Sequence, residues 1–381
     1  MTHRSFLYIR YTLIVAVLFL TACSHLPIKG QSVTSLSSVP LSRIDSSHLY
    51  AADRSGSKVA FADNGLAVVN ILTGKRQAFA DTSPVAVGWS PTGALLAAAF
   101  PMQQSNRVKV FDSQGLLVAE REIPGRISGI FWRSPQELYV ITAELTSYRF
   151  GISYRLNLYC WQIGTDATVT ILHETTIMPS FQEKYGTELL QGIIRPVLSP
   201  LGDELLYSKL MNPPAFSPYR KLIVRNLLRS TEQEIASVGL AAAGAMFSYD
   251  SEDVIYSDTT GDILQRKIWG GDTVHKLGLS GMMLAGSGGG HYLLTDGHLN
   301  LDGLLIATLP NRSESTFIPH GRLLVAWDKI LYLVQGLEPD DADLELTPQQ
   351  LDKLTNIRSW RADGLITPDE YSESRKKLLQ K

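Results

Sequence analysis

The chain has 381 residues, with 35 basic against 37 acidic side chains and a formal net charge of −2. Only 19 % of residues are charged and no run of Lys or Arg occurs, so nothing marks a nucleic-acid partner or attraction to anionic lipid by charge. The length suffices for one large domain plus an appendage, and plentiful Gly, Ser and Thr suit a β-rich secreted protein.

Arg4 and Arg10 accompany an apolar run from Tyr11 to Leu20, which ends in Leu20-Thr21-Ala22-Cys23. A charged region, an apolar region and a small-residue cleavage site define a secretory signal peptide over residues 1–22. An uncut transmembrane anchor is the other reading. Its core from Tyr11 to Cys23 is about 13 residues long, against the roughly 20 that spanning requires.

Leu-Thr-Ala directly before a cysteine resembles the lipobox of bacterial lipoproteins. The resemblance implies that Cys23 receives a thioether-linked lipid and becomes the mature N-terminus. It also implies several acyl chains, which hold firmly where one would hold weakly. The implied address is the cell envelope facing the periplasm, with the membrane as a partner through the lipid. Ser24, rather than Asp, follows the cysteine, which resembles the outer-membrane default of enteric-type sorting. An ordinary cleaved signal with Cys23 placed by chance is the alternative.

Removing residues 1–22 leaves 359 residues with 33 basic against 37 acidic side chains, net −4. With Cys23 lipidated, Cys160 has no partner in the chain. It lies in Leu156-Asn157-Leu158-Tyr159-Cys160-Trp161, which reads as a strand, and no His lies within ten residues. A buried, inert thiol is expected. Residues 23–47 form the lipidated N-terminus and a Ser-rich stretch that reads as a flexible tether.

Between residues 48 and 336, short apolar runs alternate with turn signals. Seven units share one form: apolar strand, polar or Pro/Gly turn, apolar strand. The turns start at Asp53, Ser90, Ser134, Ser199, Ser248, Gly286 and Pro319, at intervals of 37, 44, 65, 49, 38 and 33 residues. A repeat near 40 residues with about four strands is the signature of a β-propeller blade. In the best-formed unit, Val85 to Trp89, Leu95 to Phe100, Arg107 to Phe111 and Leu116 to Ala119 are the four strands. Ser90-Pro91-Thr92-Gly93 is its first turn, where Pro presets φ and Gly accepts a positive φ. Trp89-Ser90-Pro91-Thr92-Gly93 resembles the turn of TolB-type propellers, and Leu198-Ser199-Pro200-Leu201-Gly202-Asp203 is a weaker copy.

The expected fold class is therefore all-β: a seven-bladed propeller over residues 48–336, with six or eight blades also compatible, and a small C-terminal helical hairpin. Two segments exceed the repeat, Glu144 to Tyr154 and His173 to Gln191, and the longer is either a contact surface or a tolerated insertion. The seventh blade holds only three strands, Ser315 to Ile318, Leu323 to Trp327 and Lys329 to Val334. An N-terminal strand, Gln31 to Leu36 or Leu41 to Asp45, would complete it and shorten the tether.

Residues 337–346 form an acidic linker, and residues 347–381 a separate unit. Thr347-Pro348-Gln349-Gln350 reads as a helix start, followed by Leu351, Leu354, Ile357 and Trp360 at helical spacing. After Gly364, Thr367-Pro368-Asp369-Glu370 reads as a second capping box, with Tyr371, Leu378 and Leu379 on the apolar face. This string closely resembles the short C-terminal domain called SHOCT, which implies an interaction or oligomerisation module. So small a hairpin must pack on itself, on another copy or on a partner.

No catalytic constellation is visible: no Gly-x-Ser-x-Gly, His-Glu-x-x-His or Cys-x-x-Cys occurs. Gly286 to Gly290 precedes a strand pattern rather than a helix, so it reads as a turn and not a phosphate loop. Asp258 to Asp262 lacks calcium-loop spacing and reads as a hairpin turn. His275, His291, His298 and His320 are scattered over different strands and blades. The expectation is a non-enzymatic envelope lipoprotein with no cofactor or metal, lipidated at Cys23. It would bind unidentified envelope proteins, self-associate through residues 347–381, and bind no nucleic acid. The alternative is a periplasmic enzyme or ligand-binding protein with its site in the propeller's central channel.

Overall fold

The computed structural model describes residues 26–337 apart from 31–35, 178–195, 212–218, 240–243, 269–272, 288–291 and gaps of one or two residues, together with parts of 350–379. Seven antiparallel sheets follow one another along the chain; five pair their strands strictly in sequence order, and those of blades six and seven each add an N-terminal strand at the outer edge. Blades one to seven span residues 50–80, 86–124, 126–177, 197–238, 245–280, 283–308 and 314–335. First strands of most neighbouring blades touch one another, which places the first strands innermost and the fourth strands at the rim.

The ring follows from a pattern of two. In the second strand of blade one, Val59 and Phe61 pack toward blade seven, while Ala60 packs toward blade two. In blade two, Leu96 and Ala98 face blade one, and Ala97 and Ala99 face blade three. Alternate side chains thus serve opposite neighbours, and the runs 59–62 and 95–100 are apolar throughout because both their faces are covered. The apolar side chains of the propeller sort into seven clusters, one per blade interface. The cluster of Val59, Phe61, Leu324 and Leu333 joins blade seven back to blade one, which closes the ring.

All seven turn signals fall at one place, between the first and second strands of a blade. In five of them a side chain at the start of the turn, the first residue in four and the second (Ser287, after Gly286) in one, accepts a backbone N–H five residues on. The pairs are Asp53 with Lys58 (2.8 Å), and Ser90 with Leu95, Ser199 with Glu204, Ser248 with Asp253 and Ser287 with Tyr292 (each 3.0 Å). These five acceptors are buried, where an unmatched N–H would cost about 1–3 kcal/mol. Gly93 adopts φ +66°, the left-handed value its turn requires.

The N-terminal segment differs from a free tether. Ser37–Arg43 is a strand paired antiparallel with Ile330–Gln335, from Ser37↔Gln335 to Arg43↔Ile330, and it supplies the fourth strand of blade seven. Lys29–Gly30 pairs with the rim strand of blade six, Lys29↔Thr308 and Gly30↔Ala307. Leu26 is 4 % exposed and Ile44 2 %, both within inter-blade clusters. In the described part of 23–47 the chain is therefore not a free tether: blade seven is completed by an N-terminal strand as its missing fourth strand required, but over Ser37–Arg43 rather than 31–36 or 41–45.

Blade three also differs from expectation. Glu144 to Tyr154 is no irregular insertion: Glu137–Tyr148 and Gly151–Gln162, 12 residues each, form one hairpin, paired without interruption from Glu137↔Gln162 to Tyr148↔Gly151. His173 to Ile177 belongs to the fourth strand, Thr168–Ile177, and the rest of the longer segment lies outside the described residues. Along this strand exposure rises toward the tip: Thr142 is fully buried, Glu144 half-buried and Thr146 exposed.

Of the C-terminal unit, helix α1 (Pro368–Leu379) is described. Its capping box is formed: Glu370 N–H donates to Thr367 Oγ1 (3.2 Å), and Thr367 N–H and Oγ1–H both donate to Glu370 Oε2 (2.8 and 2.9 Å). Ile357 and Tyr371 are buried together, with Ile366 and Leu378 packed against them. The first half of the expected hairpin and the acidic linker lie largely outside the described residues.

Candidate interaction surfaces

The innermost strands surround the central channel, so they decide what chemistry the channel can host. They are Tyr50–Ala52, Ala86–Trp89, Arg126–Ser134, Val197–Leu198, Ala245–Phe247, Met283–Gly286 and Glu314–Ile318. Together they contain no His, Asp or Cys. Their charged groups are Arg126, Arg133 and Glu314, and Arg133 is paired with Glu137 at 3.0 Å. Adjacent inner strands approach closely: a methyl group at Gly88 would lie 2.8 Å from the Ile130 carbonyl oxygen.

Polar chemistry gathers instead between blades three and four, around two glutamates that the sequence did not single out. Glu137 accepts from Arg133 (3.0 Å), Tyr139 Oη (3.1 Å) and the Cys160 thiol (3.1 Å). Burial first, and then the bond to Glu137, push the Cys160 thiol up to about 11. Cys160 is half-buried rather than buried, and its raised pKa disfavours the reactive thiolate. Glu232 accepts from Tyr207 (2.5 Å), Arg225 (2.9 Å) and Lys209. Burial pushes Glu232 upward, but those three donors outweigh it and hold the carboxyl below its usual range.

His173 bridges the same two blades, with Nε2 donating to the Leu210 carbonyl at 2.7 Å. Burial lowers its pKa, so the neutral ring is favoured. The two glutamates each join strands of their own blade, and of these groups only His173 bonds across the blade interface. Among the other histidines, His275 and His298 lie on strands of blades five and six, and His320 in the first turn of blade seven. His291 lies outside the described residues. Asp258 closes a hairpin, its Oδ1 accepting from Thr260 N–H (2.8 Å) and Asp262 N–H (2.9 Å). Among the described residues, no group of three or more His, Cys, Asp or Glu side chains is placed to hold a metal ion. No described helix is long and apolar enough to cross a membrane.

Two surfaces remain as candidates for contact. One is the C-terminal unit, where Trp360 is 48 % and Leu365 71 % exposed. Tyr371 Oη of this unit donates to Glu252 Oε1 at 2.6 Å, in the first turn of blade five, so α1 touches the propeller rather than standing free of it. The other is the rim, where exposed apolar groups include Leu116, Leu117 and Val118 on blade two, Val169 and Ile171 on blade three, and Leu304 on blade six. Cys23, the expected lipidation site, lies outside the described residues, three positions before buried Leu26.

No protein-family model matches the chain, and no curated protein matches it. Solved structures do. The β-propeller domain of Cps50 (Swd1) from Myceliophteria thermophila aligns with TM-score 0.50 and 14 % identity, over 77 % of this chain and 98 % of that one. The structure of U3-55K aligns with TM-score 0.50 and 9 % identity, over 80 % and 99 %. TolB from Acinetobacter baumannii aligns with TM-score 0.39 and 10 % identity, over 76 % of this chain and 63 % of that one. At such identities the first two likenesses establish the fold: the chain is a seven-bladed β-propeller.

Proposed function

We propose that this protein is a lipid-anchored component of the bacterial envelope, facing the periplasm, which serves as a non-catalytic platform for protein–protein contact. The observation that carries the platform reading is the make-up of the channel: the described innermost strands offer no His, Asp or Cys, while exposed apolar groups lie on the rim and the C-terminal unit. An enzyme would need convergent acids, bases or nucleophiles in a concave site, whereas a platform needs rigid walls and apolar patches. Leu20-Thr21-Ala22-Cys23 supports anchoring through a lipid on Cys23, and Ser24 supports retention at the outer membrane. The C-terminal residues 347–381 supply a second contact module, for self-association or for a partner envelope protein.

Crosslinking in intact cells tests this reading, with the full chain compared against one lacking residues 340–381. The same envelope protein, or a second copy of the chain, should be captured reproducibly by the full chain and less by the truncated one. A small-molecule ligand retained in the channel, with no crosslinked protein, would favour the ligand-binding alternative and overturn the platform.

A further inference from the structure

The segment after Cys23 is short, and that fixes how the propeller sits. Leu26 is 4 % exposed among Tyr292, Leu299, Leu323 and Val334, between blades six and seven, and its N–H donates to Ser38 Oγ at 3.2 Å. Lys29–Gly30 then extends blade six, and Ser37–Arg43 completes blade seven. The described parts of this segment, beginning at Leu26, are therefore fixed to the rim. Only Ser24 and His25 separate Leu26 from Cys23. Three Cα–Cα steps span at most about 11 Å, whereas a free tether over 24–47 would reach about 80 Å.

Taking the lipidation of Cys23 from the proposed function, we infer that the propeller is held with the outer edge of blades six and seven against the lipid headgroups. A lipid on Cys23 places that residue at the bilayer surface, and a stem of about 11 Å is too short for a domain to turn over or stand off. The rim strands beside the stem suit such contact: Val39 is 47 % exposed on Ser37–Arg43, and Leu304 is 72 % and Leu305 37 % exposed on blade six. The occupant is a lipid surface, because the stem ends at this edge and the lipid cannot reach any other. Blades two and three lie on the opposite side of the ring, so their apolar rim residues point away from the bilayer and stay open to proteins.

The test uses the full-length lipidated protein in vesicles whose headgroups carry a nitroxide quencher. A fluorophore is placed in turn at Leu304→Cys, Val39→Cys and Leu116→Cys, with Cys160→Ala removing the native thiol. Quenching at 304 and 39 should exceed that at 116. Inserting twenty Gly/Ser residues between Ser24 and His25 should abolish the excess while the protein still floats with the vesicles. Mass spectrometry of the N-terminal peptide separates the two readings. A peptide without lipid overturns both; a lipidated protein quenched equally at 304 and 116 overturns the membrane-facing edge alone.

Discussion

The indole N–H of Trp89, at the end of the innermost strand of blade two, donates to the Ala51 carbonyl of blade one at 3.1 Å. One blade further, Trp132 repeats the bond to the Gly88 carbonyl at 3.0 Å. A side chain that fills a blade interface and also satisfies the neighbour's backbone couples the two sheets in packing and in polarity. Trp89→Ala should cost about 3–5 kcal/mol, the range for truncating a buried Trp. Trp89→Phe, which keeps most of the apolar contact, should cost about 1 kcal/mol from the lost bond. Denaturant unfolding measures both, and equal midpoints for wild type and Trp89→Ala would show that this interface does not limit stability.

The shared turn makes a second prediction. Ser199 Oγ satisfies the buried Glu204 N–H at 3.0 Å, so Ser199→Ala should lose about 1–3 kcal/mol, the cost of an unmatched buried donor. Ser248 makes the equivalent bond in the next blade, at a separate turn. The double variant should therefore lose nearly the sum of the single losses. A marked departure from additivity in unfolding free energy would show that the turns are coupled around the ring.

Cys160 should be slow toward alkylating reagents. With its pKa pushed to about 11 from an ordinary 9.0, the thiolate fraction at neutral pH falls about a hundredfold, and the rate should climb tenfold per pH unit until about 11. The unfolded chain ionises first, so this group's contribution to stability is complete below about pH 9 and is lost as pH rises toward 11. Glu137→Gln should speed the reaction by removing the negative acceptor. Rapid, pH-independent labelling of the folded protein would contradict the burial of this thiol.

Tyr371 and Glu252 provide the handle on the C-terminal helix. A hydrogen bond to a charged acceptor contributes about 1.5–3 kcal/mol, so Tyr371→Phe should raise hydrogen exchange across Pro368–Leu379 and leave the blades' exchange unchanged. Deleting residues 340–381 should leave the propeller's melting transition nearly in place, since the seven inter-blade clusters lie within 26–337. A truncated chain that no longer unfolds cooperatively would show that the helix is part of the propeller's core.

The blade repeat was legible because its punctuation is chemical: Pro and Gly at Ser90-Pro91-Thr92-Gly93 admit few backbone conformations. Phe61, Leu96 and Val110 stand in runs that suit strands covered on both faces. Other features leave weaker traces. Leu26 is one apolar residue in a Ser-rich stretch, and its burial depends on blades six and seven, nearly the whole chain away. The long hairpin of blade three exceeds the usual strand length, so the repeat alone reads its tip as an insertion. Glu137 and Glu232 came to light only in three dimensions, since their donors are gathered from different strands by the sheets' register.

The pairing of Ser37–Arg43 with Ile330–Gln335 sets the order in which the molecule can be completed. Its partners are about 300 residues apart, a separation whose closure entropy alone amounts to about 5 kcal/mol. A chain delivered from its N-terminus must hold this strand unpaired until the last blade arrives. Meanwhile blade seven lacks its outer strand and offers a bare edge to other chains. Such non-local topology slows folding. Lesions in Ser37–Arg43 should therefore be felt first as lost yield and aggregation, even where the finished ring tolerates them.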